Sequence, residues 1–304
     1  MANAKEIKRR IKSIKNTWKI TKAMELISTV KMKKAQDLAL EKKAYIKSML
    51  EIFLNLEDSL KDSKYFKHNN WWKTLNIVIA SNKWLCWGYN VNVMKKVNQY
   101  VKQNKDEEIE YISIWKKATS FLARTGNNII ADFSWDFSDV LNISFSKPIS
   151  RFILEKYLTW EYKKINIFYN HYVNTIKQIP VCREFLPFTK VWIDLYFKQI
   201  FGENYLSQKE EIKSENKKSN YEIEPSKDEF LEEFLPMILD SMFYDILIQA
   251  KASEHSSRMI AMKNAKDNAN KFALKLTLVY NKTRQTWITT EITEIVSGVE
   301  SLKE

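Results

Sequence analysis

The first glycine in this chain is Gly88 and the first proline is Pro148, so its opening 60 residues hold neither helix breaker. They are rich instead in Lys, Ala, Leu, Glu and Met, which lose little freedom on entering a helix. Asn3 followed by Glu6 gives a capping-box-like start. Ile7, Ile11, Ile14 and Trp18 then recur at steps of four, three and four, the spacing of a coiled-coil seam. A second apolar row, Ile20, Met24, Ile27 and Val30, follows slightly rotated. The other end mirrors the first. Pro225-Ser226 with Glu229 signals a helix start, Pro236 is expected to interrupt, and Met237 to Ser297 contains neither Gly nor Pro. Gly298 is the expected terminator. Ile288, Ile292, Ile295, Val299 and Leu302 again step four, three, four and three. At 1.5 Å per residue the two helices would run roughly 85 and 90 Å. Neither can bury its seam alone, so the pattern predicts an antiparallel pair.

The middle of the chain has another rhythm. Leu75–Ser81, Ile109–Ile114, Asn128–Phe133 and Lys164–Tyr169 are short β-branched and aromatic runs. Amphipathic stretches near 91–104, 117–124 and 149–160 lie between them, the last opened by Pro148. Strand–helix alternation at this spacing predicts a small, mostly parallel α/β domain. Residues 203–220 are polar and nearly free of aliphatics, as in an exposed linker.

Composition narrows the function classes. No stretch approaches the roughly 18 apolar residues of a membrane span, and an apolar signal core is lacking. A membrane-spanning or exported chain is therefore not expected. Cys86 and Cys182 make no disulfide framework, which fits a cytosolic setting. The net charge of +12 points to an anionic partner or surface. Lys5, Lys8, Arg9, Arg10, Lys12, Lys15, Lys19 and Lys22 concentrate that charge on the first helix. A basic coiled-coil module binding nucleic acid or an anionic membrane would use them, as would a shaft held in a protein sleeve; the plain reading is a solvated face.

Candidate chemistry is sparse. The loop from Ser81 to Asn90 sits where an α/β sheet binds nucleotide phosphate, but it lacks both the GxGxxG and the GxxxxGK[ST] spacing. His68, His171 and His255 are scattered without ligand spacing, and Cys86 has no nucleophile-elbow context. Asp132 and Asp136 read as surface charge. No catalytic residue, metal or cofactor is expected. Arg258, Arg284, Gln285, Thr289, Thr290, Glu291 and Glu294 read from composition alone as the solvated flank of a coiled coil.

Several of these segments resemble the γ subunit of F-type ATP synthases. Ile11–Gln36 (IKSIKNTWKITKAMELISTVKMKKAQ), Ala252–Asn268 (ASEHSSRMIAMKNAKDN) and Tyr280–Gly298 (YNKTRQTWITTEITEIVSG) are similar to its three long signatures, in collinear order. Tyr169-Asn170, Gln178-Ile179-Pro180, Leu186-Pro187 and the Tyr221–Pro225 element match shorter ones. The resemblance implies terminal helices in an antiparallel coiled coil with a Rossmann-like α/β domain inserted between them. It divides the chain into a coiled-coil helix over 1–60, the α/β domain over 72–190, a polar linker or foot over 191–225, and C-terminal helices over 226–304. It further implies a noncatalytic rotor shaft on the cytoplasmic face of the cell membrane, peripheral, within the F1 sector. The shaft would turn inside the α3β3 hexamer, with the ε subunit and the membrane c-ring as partners and no contact with nucleic acid. Carried over position by position, rotor–stator contacts fall on Met24, Arg258, Arg284, Gln285, Thr289 and Glu294. Contacts with the c-ring fall on Tyr221 and Glu224.

The departures from the family pattern are concentrated in tryptophan. Where relatives have a Gly-rich turn, this chain reads Trp84-Leu85-Cys86-Trp87-Gly88-Tyr89-Asn90, and Trp115 and Trp160 also stand where relatives often carry Gly. The chain has ten tryptophans and four glycines, where glycine ordinarily makes up about 7% of residues. UGA codons read as glycine in the source cell would account for both facts, and the expectation is that many or all ten tryptophans occupy glycine positions; a truly tryptophan-rich, divergent chain is the alternative.

Overall fold

The computed structural model describes residues 4–56, 63–67, 72–134, 142–202, 205–207, 209–210, 224 and 226–301. Its helices and strands follow in the order α1 (Ala4–Glu41), α2 (Lys43–Asn55), β1 (Lys73–Ile79), α3 (Trp87–Gln103), β2 (Glu108–Ile114) and α4 (Lys116–Arg124). Then come β3 (Ile129–Phe133), α5 (Ile143–Leu158), β4 (Lys164–Tyr172), β5 (Gln178–Leu186), α6 (Lys190–Phe201) and α7 (Lys227–Ser301). Long helices at the two ends thus bracket an α/β domain. The chain falls into two compact units: residues 1–29 with 258–304, and residues 30–257.

In the second unit the strands lie in the order β3-β2-β1-β4-β5. The first three pairings are parallel and β4–β5 is antiparallel. Strand periodicity sorts their side chains onto two faces. Leu75, Ile77 and Ile79 of β1, Ile112 and Ile114 of β2, and Ile165, Ile167 and Tyr169 of β4 enter one core. Ile149 and Ile153 of α5, Phe197 of α6 and Phe243 of α7 belong to the same core. Val78, Tyr111 and Phe168 enter the other, with Val93 and Val97 of α3 and Leu122 of α4. Helices on both faces of a mainly parallel sheet make this the expected Rossmann-like arrangement.

Several elements depart from the sequence reading. β5 was not anticipated, because QIPVCREFL mixes polar and apolar residues and contains Pro180. It is an edge strand, where the missing N–H of proline is tolerated. Pro148 does not open α5. That helix starts at Asn142, whose side chain accepts from Ser144 N, and carries the proline inside. Residues 190–201, counted mostly with the polar linker, form α6, with Trp192, Ile193, Tyr196, Phe197 and Phe201 buried. Most of 203–220 lies outside the described residues.

The terminal helices differ in their punctuation. The expected helix over 4–60 is interrupted at Lys42, although Lys42 N still donates to Leu38 O (3.4 Å) and Ile46 N to Lys42 O (3.0 Å). At the other end neither Pro236 nor Gly298 breaks α7. Pro236 removes one backbone bond, but Phe234, Leu235, Ile238 and Leu239 around it are all buried, and that packing holds the helix. Gly298 has no left-handed φ to end the helix with. Ser226 caps α7 as the sequence suggests: its Oγ accepts from Glu229 N at 3.3 Å. Asn3 lies outside the described residues.

Candidate functional site

The helical unit (residues 1–29 and 258–304) is built around a narrow seam. Ile7 of α1 and Met262, Ala269 and Ala273 of α7 are buried, and Ile11, Ile14 and Trp18 are half-buried. Small residues on α7 suit a close helix–helix approach. Lys266 Nζ meets Glu25 Oε2 at 2.7 Å, which holds the Lys266 pKa above its usual value through that hydrogen bond. The contact also marks the register. In an antiparallel pair with Glu25 opposite Lys266, the start of α1 at Ala4 comes level with about Trp287. The α7 residues beyond it have no stretch of α1 opposite them.

That offset explains an expectation the structure reverses. The C-terminal seam was read as pairing with the first helix, yet Ile288, Ile292, Ile295 and Val299 are 47–64% exposed. On α1 the second apolar row is open as well: Ile20, Ile27 and Val30 are exposed, and Met24 is half-buried. Phe272, Leu274, Leu278 and Val279 extend the open apolar surface along α7. A solvated helix ordinarily turns such residues inward, so this much exposed apolar surface marks a face made to be covered.

The polar candidates sit on the same overhanging end. Arg284, Gln285, Thr289 and Glu294 are exposed, and among the described residues Arg284 and Glu294 form no ion pair. Thr286, Thr289, Thr290 and Thr293 each donate to the carbonyl four residues back, at 2.8–3.0 Å. Their hydroxyls are thereby fixed on the helix surface with acceptor capacity facing outward. Arg258 is different: it is 6% exposed, within the protein's own packing. Glu224 is exposed, and Tyr221 lies outside the described residues. The basic residues Lys5 to Lys22 on α1 are all exposed.

The sheet unit (residues 30–257) supplies rigidity, and sequence reasoning missed its main polar anchor. Lys42, at the α1–α2 interruption, reaches Asp245 Oδ1 of α7 at 2.6 Å and lies 4.3 Å above the Tyr244 ring. Tyr196 of α6 donates to the other oxygen of the same carboxylate. Burial raises the Asp245 pKa against the pull of Lys42, and burial lowers that of Lys42 against the pull of Asp245. The available signal was a lone carboxylate inside the apolar run Met242–Ile248. Further along α7, Ser253 Oγ donates to Asn170 O of β4, and Ala250 O accepts from Tyr89 OH of α3.

The Ser81–Asn90 turn closes on itself: Ser81 N donates to Asn90 Oδ1 at 3.0 Å, and Asn90 Nδ2 to Ser81 Oγ at 2.8 Å. Beside it is a cleft of about 600 Å³ walled by Trp84, Trp87, Met94 and Phe121. Cys86 is buried, and burial pushes the Cys182 thiol up to about 12, far from a reactive thiolate. Among the described residues no group of His, Cys, Asp and Glu could hold a metal ion, and no helix is long and apolar enough to cross a membrane.

These features define a class: a helical pair with uncovered apolar faces, continuous in sequence with a well-packed Rossmann-like domain. The family model described as ATP synthase matches residues 3–302. The chain is 33% identical to the ATP synthase gamma chain of Akkermansia muciniphila, with all of both chains covered. It is 36% identical to that of Methylacidiphilum infernorum, with 97% of each covered. In fold it is similar to a chain of the Euglena gracilis mitochondrial ATP synthase rotor, with a TM-score of 0.63, 17% identity, and 94% of this chain and 98% of that one covered. The chain belongs to the ATP synthase gamma-chain family.

Proposed function

We propose that this chain is the central rotor shaft of an F-type ATP synthase, passing torque between an ion-driven c-ring and a catalytic α3β3 hexamer. The observation that carries this is the run of uncovered apolar residues from Phe272 to Val299 on α7, with Ile20, Ile27 and Val30 on α1. A sleeve of α and β subunits is the partner such a surface fits. The family supplies the identity of the sleeve, and the geometry supports the manner of contact. Arg284, Gln285, Thr289 and Glu294 present solvated polar groups that a β or α subunit can engage and release, and Met24 adds a flexible apolar contact. Each contact is broken and remade with every turn. A desolvated ion pair there would act as a brake, so exposed groups worth about 0–1 kcal/mol each are the suitable kind.

In this role the chain performs no bond chemistry itself. Its asymmetric surface presents a different face to each of three catalytic sites, and ATP is made or hydrolysed by the complex as a whole. Glu224 and Tyr221 would meet the polar loops of the c-ring, the ε subunit would bind the foot, and the assembly would sit peripherally on the cytoplasmic face of the cell membrane. The basic residues of α1 then lie inside an acidic-lined sleeve. A nucleic-acid-binding coiled coil would have no reason to carry the Tyr280–Gly298 signature.

The test is native co-purification from gently solubilised membranes through a tag on this chain. Three α and three β subunits per copy, with ATPase activity in the eluate, is the expected result. Recovery of the chain alone, or with nucleic acid and no ATPase subunit, would overturn the reading.

A further inference from the structure

Five described residues have a left-handed backbone: Gly126 and Gly202 at φ +70° and +63°, Trp115 and Trp160 at +68° and +61°, and Leu85 at +77°. Tryptophan thus holds as many of these positions as glycine does, although a bulky side chain at φ > 0 is a true outlier. Two pairs of observations on the sheet unit show what kind of position each is.

Trp160 has a twin in Gly126. Gly126 follows Thr125 at the end of α4 and donates its N–H to Ala123 O, three residues back, at 3.2 Å. Trp160 follows Thr159 at the end of α5 and donates to Tyr157 O, again three residues back, at 3.1 Å. Both are left-handed residues just past a helix end, the place where glycine is favoured because it has no Cβ to clash. One helix has glycine there and the other an indole.

Trp115 is more constrained still. It joins β2 to α4 with φ +68° and ψ 150°, a region essentially confined to glycine. Its backbone is committed there: the N–H donates to Phe133 O and the carbonyl accepts from Ala118 N. Its indole is fully buried, with Nε1 lacking an acceptor among the described residues and Lys251 Nζ 3.9 Å from the ring centre. Lys251 is itself paired with Glu254 at 3.1 Å, so two features single out Trp115: a glycine-type backbone and a buried indole donor with no acceptor among the described residues.

We infer that positions 115 and 160 are glycine in the polypeptide as its own cell makes it, decoded from UGA, a codon whose assignment differs among genetic codes. The same decoding applies at Trp84 and Trp87, whose indoles are 76% and 80% exposed. Glycine at 84, inside the β1–α3 turn, lets that turn take its left-handed residue there, relieving Leu85. The cleft beside that turn then loses two of its walls and is no ligand site. These four positions are among the ten tryptophans of a chain that has four glycines.

Peptide mass spectrometry of the protein purified from its source cells tests this directly. Glycine at 115 and 160 is expected, and tryptophan at either overturns the inference. A stability comparison of the full chain gives an independent reading. Removing a native buried indole opens a cavity and lowers Tm sharply. Trp115→Gly and Trp160→Gly together are instead expected to raise Tm by several degrees, or to restore cooperative unfolding if the tryptophan form does not fold. A fall in Tm would overturn the inference.

Discussion

In residues 30–257 the apolar side chains of β1, β2 and β4 alternate between two cores, and helices close over both. In residues 1–29 and 258–304 the described buried apolar side chains are Ile7, Met262, Ala269 and Ala273, while more than twice as many large apolar residues face solvent. The sheet unit completes its burial within the chain. The helical unit does not, although its sequence is just as rich in Ile, Leu and Val at helical spacing. The difference teaches that seam periodicity specifies a surface to be covered without specifying that the chain covers it. In a shaft that turns within a sleeve, the covering belongs to the partner.

The strongest way to break this comparison is to attack the anchor of the self-sufficient unit. Asp245→Ala leaves Lys42 buried without its carboxylate and Tyr196 without its acceptor, and about 3–5 kcal/mol of stability should be lost in urea unfolding. A loss below about 1 kcal/mol would show that the pair is not what fixes α2 and α6 to α7. Next in size is removal of the overhang. A chain ending at Trp287 should keep its unfolding midpoint, because Ile288, Ile292, Ile295 and Val299 pack on nothing described here. Its affinity for α3β3 should fall about tenfold or more, equivalent to about 1.4 kcal/mol. Equal affinities would mean that the exposed seam is not a contact surface.

Acidification sharpens the comparison further. Burial lowers the His171 pKa, offset in part by its hydrogen bond with Gln249 and reinforced by Arg183. The unfolded chain therefore takes up this proton first as the pH falls through about 6.5, and the native state loses stability below that point, down to the depressed folded value. Asp240 and Asp245, both raised by burial, act in the opposite direction, since the native state holds their protons as the unfolded chain loses them above about pH 3.8. His171→Gln should remove the loss near pH 6 from melts followed by β-sheet signal, and leave helical-unit signals unchanged. The smallest effect is expected at Glu25→Gln. Its ion pair with Lys266 should contribute little to stability and weaken with added salt.

Much of the fold was legible in the residues. Four strand runs, the three amphipathic stretches between them and the breaker-free ends give the architecture, because period-2 and period-3.6 patterns are direct consequences of burial. β5 was not legible, since an edge strand has one free side and tolerates Pro180 and Arg183. The uninterrupted α7 was not legible either, because the packing that overrides Pro236 comes from residues remote in sequence. Of the candidate site, Arg284, Gln285, Thr289 and Glu294 were read as the solvated flank of a coiled coil, and they are exposed on α7. The exposure of the Ile288–Val299 seam depends on the register between the helices, which Glu25 and Lys266 mark across 241 residues. No local pattern encodes that offset.

If the helical unit is completed by its partner, its open face gains protection on assembly. Amide hydrogen exchange on the chain, free and assembled with α3β3, measures this directly. Strong new protection along residues 272–299 of α7, with the amides of β1, β2 and β4 unchanged, is the predicted result. Equal exchange along α7 in the two states would contradict it.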